Sequence, residues 1–244
     1  MKVAGGRGKL LFLTFSTVFF LSYSSLPCDA AEPPDLEANP VTQRIESVDV
    51  SAEDGSRVRH VEDPGQSEAA VETILSSSPA VSARIAIDAD GKSWAVWQDA
   101  ATNQIRFSVR DPIGGEWRPE TLLSESGQVC ASPRVAPEGS RGWIAYEVRE
   151  GPLTSLTASI IEDGAEPVLS RMVVAETYFT GALDLDLRSE GGRVWMSWIA
   201  SATDLEWSRF DAESGAFTAP AVEPLAGGSA GDARQRIRAR VLAM

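Results

Sequence analysis

Cysteine and histidine are scarce in this 244-residue chain, and each scarcity excludes a class of chemistry. There are two cysteines and one histidine. If Cys28 is removed with the N-terminal segment, Cys130 has no intramolecular partner, so the core must hold by packing without a disulfide. His60 alone cannot build a histidine-ligated metal cluster, and it is a poor basis for a catalytic triad. We therefore predict no bound metal, no cofactor and no nucleophilic catalysis.

Positive charge is also in short supply. The formal net charge is −13, and removal of residues 1–30, which contain three basic and one acidic residue, makes it −15. Such an excess of acidic groups disfavours nucleic acid and anionic membranes as partners. It is also the surface charge that keeps an extracellular protein soluble.

The first thirty residues have the features of a secretory signal peptide. Basic residues precede an apolar run over 10–21, and the small-residue pattern predicts cleavage after Ala30. The run is too short, and too polar at its far end, to span a membrane. We expect a secreted or periplasmic protein. A lipoprotein anchored through Cys28 is the alternative, but Pro27 directly before the cysteine fits that motif poorly.

The remainder divides into a short linker and one domain. Residues 31–41 are acidic and proline-rich and have no apolar period, which predicts a linker. From residue 42 to residue 244, apolar positions alternate with period 2 and helix signals are scarce. This pattern predicts a single all-β domain.

An internal repeat of about fifty residues identifies the architecture. Each copy contains a strand, a glycine and then two aromatic residues three positions apart. Four short antiparallel strands fit into each copy, as in the blade of a β-propeller. We predict a propeller of about four blades. The aromatic pairs are Trp94 with Trp97, Trp143 with Tyr146, and Trp195 with Trp198.

The fourth blade requires both ends of the chain. Residues 43–76 resemble the last three strands of a blade, whereas residues 234–241 alternate Ile237, Ala239 and Val241 with arginines, as a first strand would. Pairing of the two segments would close the ring and remove the open sheet edges. The alternative is a fragment of a larger propeller, which Glu46 and Asp49 favour because they stand where the other copies have aromatic residues in the second strand.

The repeat resembles the bacterial-neuraminidase-repeat and sialidase-like β-propellers over about residues 42–241. Gly91, Ser93 and Trp94 match the end of the Asp-box motif of that family. Ile87 and Ala89 stand where the motif has serine and aspartate, and the arginine triad and Tyr/Glu nucleophile pair of a sialidase are not matched. The resemblance implies a propeller fold and does not carry the sialidase activity with it.

Two groups of side chains are candidates for function. Members of each aromatic pair must face opposite sides of a strand, so we expect them to pack between blades. Charged residues of the opening strands would instead surround the central channel, where arginines suit a carboxylate or sulfate. The alternative is that these charges neutralise one another. The candidate ligand-binding residues at the channel mouth are Arg84, Arg134, Asp184, Asp186, Arg238 and two aromatic rings, Trp117 and Trp207.

These patterns favour a non-catalytic binding or interaction module whose partner is extracellular carbohydrate or another protein. A sialidase-like glycoside hydrolase is the alternative, with Asp184 and Asp186 as its carboxylates. They lie two apart in one predicted strand, whereas a catalytic pair flanks the sugar from different elements. We therefore predict no catalytic residues.

Overall fold

The computed structural model describes residues 35–42, 44–51, 55–63, 70–112, 115–151, 153–162, 168–177, 184–225 and 228–244. The predicted signal peptide and Cys28 lie outside these residues. The described chain forms four antiparallel sheets followed by one helix. The prediction of an all-β propeller with about four blades is confirmed, and each sheet is one blade.

The strands follow one another in chain order within every blade. Blade 1 contains β1 (Asp35–Ala38), β2 (Ile45–Ser51), β3 (Arg57–Asp63) and β4 (Val71–Ile74). Blade 2 contains β5 (Ala80–Ile87), β6 (Ser93–Asp99), β7 (Ile105–Arg110) and β8 (Thr121–Leu122). Blade 3 contains β9 (Val129–Glu138), β10 (Arg141–Glu150), β11 (Leu153–Glu162) and β12 (Val168–Thr177). Blade 4 contains β13 (Asp186–Glu190), β14 (Arg193–Ile199), β15 (Asp204–Asp211), β16 (Ala216–Phe217) and β17 (Ala221–Pro224), and α1 (Ala230–Ala243) follows it.

The first strands of the four blades form the inner part of the fold. β1 packs beside β5, β5 beside β9, and β9 beside β13. Short turns connect each inner strand to the next strand outward. The turn predicted at Asp90 and Gly91 is present, with Gly91 at φ +83°, a conformation that glycine adopts without steric cost.

Five of the six side chains of the aromatic pairs pack between blades, as the sequence predicts, and the sixth packs against the C-terminal helix. All six side chains are at most 3% exposed. Within each pair the two rings belong to different core clusters, because residues three apart in a strand face opposite sides of the sheet. Trp97 lies between blades 1 and 2, Trp94 and Tyr146 between blades 2 and 3, Trp143 and Trp198 between blades 3 and 4, and Trp195 beneath α1.

The glycine of the repeat has a packing role in blade 3. A Cβ atom on Gly142 would lie 2.3 Å from the ring of Trp94. No side chain other than hydrogen fits at that distance without movement of the blade-2 tryptophan. The tight approach of blade 2 to blade 3 therefore depends on this glycine.

Residues 234–241 do not form the predicted closing strand; they belong to α1. The same segment that alternates with period 2 also places Ala233, Ile237 and Val241 four apart, and these three side chains are buried on one helix face. Ser229 and Asp232 form a capping box at the helix start. The capping signal and the strong helix propensity of alanine, leucine and arginine decide in favour of helix.

Helix α1 covers the outer face of blade 4. Its buried residues contact Trp195, Leu205 and Trp207 in one apolar cluster. The helix thus shields a sheet face that would otherwise expose two tryptophans. Within the described residues no helix is long and apolar enough to span a membrane.

Blade 1 obtains its first strand from the segment expected to be a linker. β1 pairs antiparallel with β2, with Asp35 opposite Val48 and Ala38 opposite Ile45. The Asp35 carboxylate also accepts a hydrogen bond from the Ile85 backbone N–H at 2.8 Å, which ties this strand to blade 2. In the described part of the chain, no strand of blade 1 pairs with blade 4. Ring closure by pairing of the two ends is therefore wrong.

Candidate functional site

A cavity of about 420 Å³ lies among blades 2, 3 and 4, at the end of the fold where the inner strands begin. Because strands alternate in direction, the connections between blades and the turns between second and third strands meet at this end. We call this cavity the axial cavity. Its polar lining residues are Ser82, Gln98, Ser132, Arg134, Arg149 and Asp184.

Two inner strands are irregular where they border the axial cavity. The register of β5 against β6 shifts between Ala80 and Ser82. The register of β10 against β9 shifts between Ala145 and Glu147, opposite the start of β9. A bulge changes the direction of the side chains beside it, and bulges are frequent next to functional sites. Regular strand pairing is thus interrupted on two sides of the same cavity.

The backbone is also unusual at two lining residues. Ser132 has φ +54° and Asp184 has φ +43°, in the left-handed region that non-glycine residues seldom occupy. Conformations of this kind cost free energy and concentrate at binding and catalytic sites.

The charged residues of the lining are Arg134, Arg149 and Asp184, and each has a partner within the protein. Asp184 lies 3.0 Å from the guanidinium of Arg234. Arg149 lies 3.0 Å from the carboxylate of Glu147, which is fully buried. The Ser82 hydroxyl is buried and has no hydrogen-bond partner among the described residues. The cavity therefore offers guanidinium, amide and hydroxyl donors to a ligand.

The axial cavity contains two of the residues predicted at the channel mouth. Arg134 and Asp184 line the axial cavity. Arg84 is half-buried on β5, and its guanidinium donates to the Ala83 carbonyl at 2.8 Å. It is not among the residues that line the axial cavity.

Asp186 and Arg238 lie at a different cavity, of about 570 Å³, between α1 and blade 4. Arg238 holds Glu190 with two hydrogen bonds of 2.6 Å. Asp186 accepts a hydrogen bond from Arg188 at 3.1 Å and also lies 3.8 Å from Arg234. Because Arg234 also pairs with Asp184, both candidate hydrolytic carboxylates lie against one guanidinium.

The two candidate stacking rings have different environments. Trp117 is half-buried at a groove of about 720 Å³ between blades 1 and 2. Arg110 lies over its ring at 5.7 Å, and His60 meets it edge-on at 5.0 Å. Trp207 is 7% exposed and lies beneath α1, so it presents no open ring face to a sugar.

Behind Trp117 lies a buried polar cluster that the sequence interpretation missed. The Glu46 carboxylate is completely buried, and it accepts hydrogen bonds from Asn39 and Ser93, each at 2.7 Å. His60 lies 3.1 Å away and Arg110 2.6 Å away. The available signal was the placement of Glu46 at the position of the aromatic residue in other blades.

The cluster keeps its carboxylates ionised. Burial by itself raises the pKa of Glu46, but hydrogen bonds from three neighbours and the charge of Arg110 lower it to about 2. Burial likewise raises the pKa of Glu62, and hydrogen bonds from Arg110 and Arg44 lower it below its usual value. In blade 1, Glu46 and its hydrogen-bond donors therefore occupy the position at which the other blades have a buried tryptophan.

Carboxylates gather at the opposite end of the inner strands. Glu37, Asp88, Glu138 and Glu190 surround a cavity of about 400 Å³. Burial and the neighbouring Asp35 raise the pKa of Glu37, and Arg188 opposes that shift. Among the described residues, no group of three or more acidic, histidine or cysteine side chains is arranged to hold a metal ion.

Sequence interpretation also missed Ser82, Gln98 and Arg149 in the axial cavity. Gln98 and Arg149 lie near the ends of second strands, whereas only the opening strands were expected to reach the channel. The one sequence signal that Gln98 and Arg149 share is a polar side chain close to the turn between the second and third strands. The positions of the bulges, which direct these groups to the cavity, leave no clear pattern in a single sequence.

No family model and no curated protein match this chain. Among solved structures, it is similar to a polysaccharide lyase family 25 ulvan lyase bound to -[GlcA(1-4)Rha3S]-, with TM-score 0.51, 8% identity, and coverage of 80% of this chain and 59% of that chain. The same comparison finds a GH43 β-1,3-galactosidase, with TM-score 0.49, 14% identity, and coverage of 79% and 45%. It also finds the catalytic domain of the GH62 α-L-arabinofuranosidase of Coprinopsis cinerea, with TM-score 0.45, 10% identity, and coverage of 78% and 67%.

The likeness to the ulvan lyase is one of fold. This chain spans between 45% and 67% of the length of these three structures. The class defined by the fold is a propeller-type all-β protein with a polar cavity at the start of its inner strands.

Proposed function

We propose that this protein is a secreted, non-catalytic β-propeller module that binds extracellular carbohydrate in the axial cavity. The observation that carries the proposal is the convergence of polar side chains from three blades in one cavity. Ser82 and Gln98 come from blade 2, Arg134 and Arg149 from blade 3, and Asp184 from the approach to blade 4.

The chemistry of this lining suits a saccharide. Hydroxyl-rich ligands are recognised by a few convergent donors and acceptors on a rigid scaffold. The axial cavity supplies both kinds of group and rests on strands whose cores are fully packed. The ulvan lyase with a similar fold was solved bound to a saccharide, which adds support at the level of fold alone.

A glycan array probed with the purified chain tests the proposal. We expect binding to a restricted set of saccharides that Gln98→Ala weakens, because this amide lines the axial cavity. Gln235→Ala on the exposed surface of α1 is the matched control and should leave binding unchanged. If the chain binds no saccharide but captures a protein from the native medium, the proposed carbohydrate ligand is wrong and the partner is a protein.

A glycoside hydrolase is the second candidate, and the carboxylates at the opposite end of the inner strands favour it. Glu37 and Glu138 come from different inner strands, as a catalytic pair requires. Glu138 accepts a hydrogen bond from the Trp143 indole at 2.9 Å. Release of reducing ends from a bound polysaccharide, abolished by Glu37→Gln, would establish this activity and overturn the non-catalytic proposal.

A further inference from the structure

The geometry points to an uncharged saccharide as the ligand of the axial cavity, held by Ser82, Ser132 and Asp184. This inference rests on the proposed function and adds to it the charge of the ligand and the residues that contact it. The cavity has a volume of about 420 Å³. Small-molecule sites are typically about 300–1,000 Å³, so a cavity of this size suits one or two sugar units.

The three residues occupy equivalent positions in blades 2, 3 and 4. Each stands two residues before a charged residue of its inner strand, and these are Arg84, Arg134 and Asp186. All three line the axial cavity. The fifty-residue repeat therefore brings one polar side chain from each of three blades into a single cavity.

The backbone departs from regular strand geometry at each of these positions. Ser132 has φ +54° and Asp184 has φ +43°. The register of β5 shifts between Ala80 and Ser82. Backbone strain costs free energy and concentrates where side chains are held for binding. Its recurrence at one position of three blades indicates that these three side chains are directed to a common ligand.

The arginines of the lining are engaged within the protein. Arg149 lies 3.0 Å from the carboxylate of Glu147, which is fully buried. The Arg134 guanidinium donates to the Pro133 carbonyl at 2.8 Å and has a further interaction. An anionic ligand would compete for these groups, and separation of a buried carboxylate from its partner is costly. The cavity is therefore poorly suited to an acidic saccharide.

The acidic residue of the lining is also paired. Asp184 lies 3.0 Å from Arg234, which lies 3.8 Å from Asp186 as well. A cationic ligand would have to displace this guanidinium. A carboxylate can accept several hydrogen bonds, so Asp184 can bind sugar hydroxyls while it keeps its ion pair. The carboxylate thus favours a neutral ligand that donates hydrogen bonds.

Uncharged groups complete a surface that suits a sugar. The Ser82 hydroxyl is buried and has no hydrogen-bond partner among the described residues. Buried polar groups are nearly always hydrogen-bonded in folded proteins, so this hydroxyl has capacity for a ligand oxygen. Val81 and Ala131, which directly precede Ser82 and Ser132, line the same cavity and offer apolar contact to the C–H groups of a sugar ring.

The test compares saccharides that differ only in charge. Titration calorimetry uses oligogalacturonides with their carboxyl-reduced neutral forms, and xylo-oligosaccharides with and without glucuronic acid substituents. We expect at least one neutral form to bind, and its charged counterpart to bind roughly tenfold or more weakly because its carboxylate finds no free partner. Affinity for the neutral form should be the same at low and high salt, since no ion pair forms on binding.

Variants locate the binding. Ser82→Ala and Asp184→Asn should each lower affinity for the neutral form several-fold. Ser132→Gly should do the same without lowering the melting temperature, because glycine adopts φ +54° freely. A serine with a structural role alone would not separate these two measurements. Ser140→Ala is the matched control, because this serine lies in the exposed turn between β9 and β10, away from the cavity.

Each outcome bears on a different claim. Tighter binding of a charged form than of its neutral counterpart overturns the uncharged ligand and leaves the carbohydrate-binding function in place. Binding of a neutral form that Ser82→Ala, Ser132→Gly and Asp184→Asn all leave unchanged overturns the assignment to these residues. Binding of no saccharide, charged or neutral, overturns the proposed function together with this inference.

Discussion

Replacement of Glu46 by glutamine should remove a large part of the stability that joins blade 1 to blade 2, and the loss should be smaller at acid pH than at neutral pH. The substitution keeps the shape of the side chain and deletes its charge. Arg110 then retains Glu62 as its one carboxylate partner in the cluster. Loss of one partner from a buried ion pair is among the more destabilising changes a protein can undergo.

The pKa of Glu46 gives the magnitude. Although burial opposes the shift, hydrogen bonds and the charge of Arg110 lower the pKa of this carboxyl from its ordinary value of 4.5 to about 2 on folding. A depressed carboxyl pKa adds stability that is fully present above pH 4.5 and is lost as the pH falls toward 2. Linkage converts the shift into about 3 kcal/mol at pH 7 and about 1 kcal/mol at pH 3.

Urea denaturation followed by tryptophan fluorescence measures this difference, because four of the indoles lie buried between the blades. Glu46→Gln should unfold with a free energy about 3 kcal/mol below wild type at pH 7, and the gap should narrow at pH 3. Glu72→Gln, which alters an exposed carboxylate of the same blade, is the control and should match wild type. An equal gap for Glu46→Gln at both pH values would refute the argument from ionisation.

Three further changes test the packing. Gly142→Ala should destabilise the fold by about 1–3 kcal/mol in thermal melts, because the new methyl group would collide with the ring of Trp94. The control, Gly231→Ala on α1, should be neutral or slightly stabilising in the same measurement. Ile237→Ala should cost about 2–5 kcal/mol in urea denaturation, since its side chain fills the cluster beneath α1; wild-type stability would show that the helix does not hold blade 4. Burial raises the pKa of the Cys130 thiol to about 11, although a hydrogen bond and a nearby arginine oppose the shift. A thiol reagent at pH 8 should therefore react with Cys130 only after the protein unfolds. Rapid labelling of the native protein would contradict this burial.

The blades were predictable because their determinants are local. A glycine turn, an alternating strand and an aromatic pair occur within a few residues of one another, and the opposite-facing rings follow from strand geometry alone. Trp94 and Trp97 therefore lie in two different seams, as predicted. The first blade was predictable only in part. Its last three strands follow the repeat as predicted, but the prediction that its first strand comes from the C-terminal end of the chain is wrong.

The end of the chain shows why pattern alone was insufficient there. Ile237 and Val241 are two strand repeats apart and also one helical turn apart, so they satisfy both periods. Two features favour helix over strand in this segment: the capping box at Ser229, and the apolar face of blade 4 against which the helix packs.

By itself, the sequence determined the repeat, the all-β class and the burial of the aromatic pairs, since each depends on residues close together in the chain. Only the tertiary structure decided which polar groups meet. Glu46 with Arg110 and Arg134 with Arg149 are brought together by strand register, bulges and the packing of one blade on the next. Those arrangements minimise the free energy of the whole assembly, and no short stretch of sequence contains them.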